Sequence, residues 1–199
     1  MNGVVPIVIL TGLLAALQVA NAQEGDPLIT LVDFSRPEGV ADWRPVNDVV
    51  MGGVSSGRID RAEDSAVFSG VLSLDRGGGF ASVRGPVRTA DLSACTGVAV
   101  RVRGDGKTYR LRLYDSGRFD GVAWQARFEA PVSGWATRVL PFHLFEASFR
   151  GRVLRDVPPL RTDRLRQAGL MIAERQAGPF RLQVRWVRGH DCEAPGTAG

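Results

Sequence analysis

The sequence predicts an all-β chain, an antiparallel β-sandwich or jelly roll with little helix, running from about Leu28 to Cys192. Three observations predict it. Apolar and polar residues alternate with period two in segment after segment, and period 3.6 is almost absent. Turn residues punctuate these segments at short intervals: Gly52-Gly53, Gly77-Gly78-Gly79, Gly85-Pro86, Ser133-Gly134, Pro158-Pro159 and Gly178-Pro179. No alternation of strands with long helical patterns signals βαβ units.

In chain order, Trp43–Arg84 opens with turn-rich wording, W-R-P-V-N-D-V-V-M-G-G-V-S-S-G. Phe68, Gly70, Leu72 and Leu74 then form a half-buried strand, and Phe80–Arg84 another. Val98, Val100 and Val102 face one way, Arg101 and Arg103 the other. After the turn Gly104-Asp105-Gly106-Lys107, Tyr109, Leu111 and Leu113 point inward with Arg110 and Arg112 outward, which reads as a β-hairpin. Such a hairpin would crowd four arginines onto one face, where like charges opposite one another are destabilising. Interleaved Asp and Glu from neighbouring strands relieve such a face in the ordinary case; bound anions or a partner are the alternatives. Trp124, Ala126 and Phe128 alternate with Gln125, Arg127 and Glu129. Pro141–Phe145 is the best helical turn, and Arg150–Arg164, polar and proline-bearing, reads as a surface loop. Ala168–Ala173 has the apolar run of a buried strand. Phe180, Leu182, Val184 and Trp186 form the last inward row.

The ends suggest export. Val4–Val19 is an apolar run broken by Pro6, Thr11, Gly12 and Gln18, followed by Ala20-Asn21-Ala22, a small-x-small cleavage pattern. Residues 1–22 are therefore expected to be a signal peptide and the protein periplasmic or secreted. Without cleavage the same run would be the one point of membrane contact, although it is short for a span of about 20 apolar residues. Residues 28–192 form one domain, which needs no metal or dense cross-linking to fold, and 193–199 read as a flexible tail. Cys95 and Cys192 are the only cysteines. In an exported chain such a pair is most simply a disulfide, and their separation lacks the local spacing of a zinc site.

The formal net charge is +4 and all but one of the basic residues are Arg. They are spread along the chain among acidic residues, which argues against a nucleic-acid footprint. His143 and His190 are distant from each other in sequence. No nucleophile motif, metal-binding His pair or P-loop is present, and no cofactor is implied. Gly77-Gly78-Gly79 precedes a strand, so it reads as a tight turn and not as a phosphate cradle. The strongest site candidate is Asn47-Asp48 with Met51, Gly52, Gly53 and Ser55, flanked by Trp43 and Arg84. Asn and Asp cap turns with their own side chains, and glycine admits a close backbone or ligand; the same residues therefore serve either a structural turn or a binding surface. Asp33, Asp42 and Asp48 would be the carboxylates of a Ca²⁺ site, if one exists.

The phrases N-D-V-V-M-G-G-V-S-S (Asn47–Ser56), G-G-G-F-A-S-V-R (Gly77–Arg84), R-G-D-G-K-T-Y (Arg103–Tyr109), L-P-F-H-L-F (Leu140–Phe145) and G-P-F-R-L (Gly178–Leu182) carry a resemblance to the CIA30 family. They cover nearly the whole chain beyond the leader. The resemblance implies a galactose-binding-like jelly roll, and a role in respiratory complex I assembly for mitochondrial relatives. It points to a non-catalytic binding or assembly domain with a protein partner. The alternative is a carbohydrate-binding module for periplasmic or cell-wall glycans. That reading needs exposed rings for sugar stacking, for which Trp43, Tyr114 and Trp135 are the candidates, since Trp124 and Trp186 sit in inward phase. Oligomeric state is not specified by the sequence.

Overall fold

The computed structural model describes residues 29–88, 91–118 and 120–193. The expected leader at 1–22 and residues 194–199 of the expected tail lie outside the described residues. Within them run β1 (Thr30–Asp33), β2 (Arg44–Pro45), β3 (Ser56–Arg61), β4 (Ala66–Leu72), β5 (Ala81–Pro86), β6 (Cys95–Arg103) and β7 (Thr108–Tyr114). After these come β8 (Ala123–Glu129), β9 (Ala136–Pro141), β10 (Glu146–Phe149), β11 (Arg152–Val153), β12 (Gln167–Ile172) and β13 (Gly178–Cys192). Short 3-10 turns are the only helical elements among the described residues. One of them, Phe142–Leu144, falls inside the expected turn at Pro141–Phe145.

The strands form two antiparallel sheets. The first is six-stranded in the order β3-β4-β13-β6-β9, with β1 also paired to β13. The second is seven-stranded in the order β11-β10-β8-β7-β12-β5-β2. Their inner faces meet in one apolar core, as alternation requires. Val98, Val100, Val102, Phe180, Leu182 and Val184 come from the first sheet; Tyr109, Leu111, Leu113, Ala168, Leu170 and Ile172 come from the second. Phe68 and Phe180 pack with ring centroids 4.8 Å apart, and both lie against Tyr109. Cys95 and Cys192 are opposite residues on β6 and β13 and are joined by a disulfide. It ties the last strand to the body across 97 positions of sequence.

Three expectations need correction. β6 and β7 do not form a hairpin: β6 pairs with β13 and β9, and β7 with β8 and β12. Residues 104–107 arch from one sheet to the other. Asp105 holds the arch by accepting from Tyr109 Oη at 3.0 Å, Lys107 N at 3.1 Å and Arg181 N at 2.8 Å. Arg101 and Arg103 therefore lie on the opposite side of the sandwich from Arg110 and Arg112. Trp186 is not in the inward row. The pairing of β13 with β6 slips between Val184 and Trp186, so Arg185 is an inserted residue and the phase reverses. Val187 is then buried, and Trp186 sits half-buried on the outer face with the Arg188 guanidinium 4.4 Å from its ring. Finally, Arg150–Arg164 is loop for most of its length but includes β11, paired to β10, and a 3-10 turn at Thr162–Arg164.

Candidate functional site

The segment from Asn47 to Ser55 is a 3-10 turn, Asp48–Met51, closed by Gly52 in the left-handed conformation (φ 89°). Asp48 is 1% exposed and anchors the turn from beneath. Its Oδ1 accepts from Ser55 N at 2.9 Å; its Oδ2 accepts from Ser55 Oγ at 2.6 Å, Gly79 N at 2.8 Å and Phe80 N at 3.3 Å. Burial alone would raise the Asp48 pKa. The Ser55 hydroxyl and the three backbone N–H groups outweigh it, and the carboxyl sits below its ordinary value. Gly53 must lack a side chain, because a Cβ there would lie 2.4 Å from Asp48 Cγ. Asn47 ties the turn sideways, donating to Gly57 O at 3.1 Å and accepting from Ser82 N at 3.2 Å. Ser55 Oγ also accepts from Ser73 N at 3.0 Å.

The network faces inward and lifts apolar side chains outward. Val49 is 62% exposed, Met51 59% and Val54 44%. The sequence-picked residues thus divide. Asn47, Asp48, Gly53 and Ser55 shape the turn. Met51 and Gly52 are on its exposed rim. Trp43 belongs to neither group: it is buried, edge-on to Phe34 at 5.0 Å, against Gly85. Val49 and Val54 were missed, although an apolar pair in a glycine-rich turn was a visible signal.

Arg84 leads to a second surface, the outer face of the seven-stranded sheet. Registers place Glu146, Gln125, Arg112, Gly169, Arg84 and Arg44 in one row across β10, β8, β7, β12, β5 and β2. The next row along contains Arg127, Arg110, Met171 and Ser82. Glu174 accepts from both Arg110 (Nε, 2.7 Å) and Arg127 (Nε, 3.1 Å). The Arg84 guanidinium stacks 3.6 Å from the centre of the Tyr114 ring, and Arg112 lies 5.4 Å from it. Arg84 also donates to Gln167 Oε1 and to Arg118 O.

The aromatic candidates for sugar stacking are dispersed. Trp43 and Tyr114 are buried, and Trp135 is on the other sheet's side with Arg103 5.0 Å from its ring. Asp33, Asp42 and Asp48 do not gather: among the described residues no group of three His, Cys, Asp or Glu is placed to hold a metal ion. Asp33 instead accepts from Ser35, and Asp42 is exposed. His143 is exposed on its 3-10 turn, and His190 lies on β13 opposite Gly97. Among the described residues no helix is long and apolar enough to cross a membrane.

The family model described as Complex I intermediate-associated protein 30 (CIA30) matches residues 32–184, from β1 into β13. The chain belongs to the CIA30 family. One CIA30 relative is the mitochondrial Complex I intermediate-associated protein 30 of Drosophila melanogaster. It is 25% identical over 202 residues, which cover 85% of this chain and 68% of that protein. This CIA30 fold is also similar to the family 11 carbohydrate-binding module of Clostridium thermocellum, solved with a β-1,3-1,4-mixed-linked tetrasaccharide. The TM-score is 0.59 at 18% identity, covering 84% of this chain and 98% of that one. A domain of the agarase AgWH50C is similar at TM-score 0.53 and 9% identity, over 81% of this chain and 26% of that one. At these identities the likeness shows the shared β-sandwich.

Proposed function

We propose that this protein is a non-catalytic docking domain of the assembly-factor kind, and that it holds a protein partner through the corner formed by Val49, Met51 and Val54. The observation that carries the reading is the contrast within one turn. A fully buried carboxylate with four hydrogen bonds fixes the backbone, while three large apolar side chains on that backbone face solvent. Soluble surfaces rarely present clustered apolar side chains without a partner. A pre-fixed turn lowers the ordering cost of binding. Family membership supports the same kind of role, since the Drosophila relative is named for association with a complex I intermediate. The glycan alternative needs open ring faces in line; buried Trp43 and the Arg84-covered Tyr114 favour a protein partner.

The site of action belongs to the proposal: export, with the leader removed after Ala22, so that the intact mass of the recovered protein begins at Gln23. The docking test is crosslinking in intact cells followed by capture of the full chain, wild type beside Val49→Asp/Met51→Asp. The double variant is expected to melt with the wild type and to lose the specific crosslinked partner by about tenfold or more. Equal recovery of that partner by both proteins would overturn the reading.

A further inference from the structure

On the outer face of the seven-stranded sheet, arginines stand side by side, with Glu146 at one end of the row. Arg44 and Arg84 are directly opposite each other, as are Arg110 and Arg127. Like charges so placed are destabilising. Glu174 relieves the second pair. Arg44 spends its Nη1 on Ala41 O and Trp43 O. Arg112, at the centre of the row, has no such relief. Its Nε is buried without a hydrogen-bond acceptor, and among the described residues no carboxylate pairs with it. Burial and the neighbouring Arg110 pull its pKa down, with Tyr114 opposing. Arg112 is half-buried, and its guanidinium has the Tyr114 ring 5.4 Å away but no carboxylate; a partly desolvated cation left without a counter-charge is costly.

The surroundings are shaped around that cation. Gly169 separates Arg112 from Arg84 in the row, and its missing side chain leaves the Tyr114 ring edge 3.8 Å from where a Cβ would be. Gln125 flanks Arg112 on the other side, and its substitution by a carboxylate would supply the missing charge. The row from Arg112 to Arg44 crosses three strand intervals, about 15 Å, which is roughly five residues of extended chain.

We infer that this arginine row binds an acidic segment of a protein partner, laid across the strands, with a partner carboxylate taken by the Arg112 fork. The guanidinium fork matches a planar carboxylate through two parallel hydrogen bonds. The covered Tyr114 ring offers no open face to a sugar, which selects acidic protein over acidic glycan. The inference rests on the protein-docking reading above and adds the partner's charge.

The test is fluorescence anisotropy of the full chain with labelled oligoglutamate. Oligoglutamine, oligogalacturonate and inorganic phosphate are the comparison probes. Oligoglutamate is expected to bind in a salt-sensitive way, and oligoglutamine not to bind. Arg112→Gln and Arg112→Lys should each weaken binding about tenfold or more, while Arg58→Gln on the other sheet leaves it unchanged. Gln125→Glu guards against misfolding: it should raise the melting temperature and abolish oligoglutamate binding, because it supplies the carboxylate from within. Unchanged affinity in the Arg112 variants, or tighter binding of oligogalacturonate or phosphate than of oligoglutamate, would overturn the inference. Loss of the cellular partner on Val49→Asp/Met51→Asp without any oligoglutamate binding would refute the acidic segment and leave the docking corner standing. The converse pattern would refute the corner alone.

Discussion

Asp48→Asn replaces one oxygen by an amide nitrogen and removes a charge with almost no change of volume. In solution chemistry that is a small step; in this turn it is a large one. Every group around the carboxylate that contacts it does so as a donor: Ser55 N, Ser55 Oγ, Gly79 N and Phe80 N. If the amide nitrogen takes the Oδ2 position, two backbone N–H groups face another donor. If it takes the Oδ1 position, Ser55 N does. At least one buried donor is abandoned in either orientation, at about 1–3 kcal/mol, and the remaining bonds lose their charge assistance. The total is roughly 2–4 kcal/mol. A domain of this size loses about 2–4 °C of melting temperature per kcal/mol, so a drop of about 5–15 °C is expected. Circular dichroism melts at neutral pH measure it. The pH dependence supplies a second reading. The folded pKa lies below the ordinary carboxylate value, so the carboxylate's contribution is complete above the unfolded pKa of about 3.9 and is lost as pH falls through the folded value. The gap between wild type and variant should therefore hold from pH 7 to pH 5 and close only below about pH 4. A variant that melts within about 1 °C of wild type at pH 7, yet fails to capture the partner, would show that Asp48 acts at a binding surface and that the buried-anchor argument is wrong.

Two further outcomes follow from packing. The Cys95→Ser/Cys192→Ser double variant opens a loop of 97 positions, worth about 4–5 kcal/mol in the chain-entropy model; scanning calorimetry should show a fall of about 10–20 °C, and a fall under about 3 °C would contradict it. Gly53→Ala places a Cβ 2.4 Å from Asp48 Cγ and should cost about 1–3 kcal/mol of stability, read from the shift of the urea midpoint at unchanged slope, whereas Gly52→Asn, at an open left-handed position, should stay within about 1 kcal/mol of wild type.

The candidate site was half legible. N-D-V-V-M-G-G-V-S-S announced a tight, polar-anchored turn because Asn, Asp and Gly have local reasons to be there. Which residues of it face solvent was not legible, since Asp48 is buried only by the arrival of Gly79 and Phe80 from more than thirty residues away. The charge row was in view as outward arginines at Arg110 and Arg112. It was mis-assembled because an assumed hairpin put Arg101 and Arg103 beside them.

By itself the sequence determined what depends on neighbours along the chain. Alternation with period two marked β4 to β8 and the first part of β13 and set which side of each is apolar, because successive side chains on an extended backbone point to opposite faces. Turn chemistry set where strands end. The two cysteines, in a chain with an export-like leader, marked the bridge between β6 and β13. The tertiary structure alone decided partnership and sign. A hairpin and an arch between sheets display the same alternation, so β6 and β7 could be assigned to opposite sheets only by their hydrogen-bonded neighbours. One inserted residue at Arg185 reverses the phase of everything after it, and no local pattern predicts an insertion whose cause is the fit to a strand elsewhere. The row that brings Arg112, Gly169, Arg84 and Arg44 together joins four strands distant in sequence, and its crowding of arginines exists only once register has put them side by side.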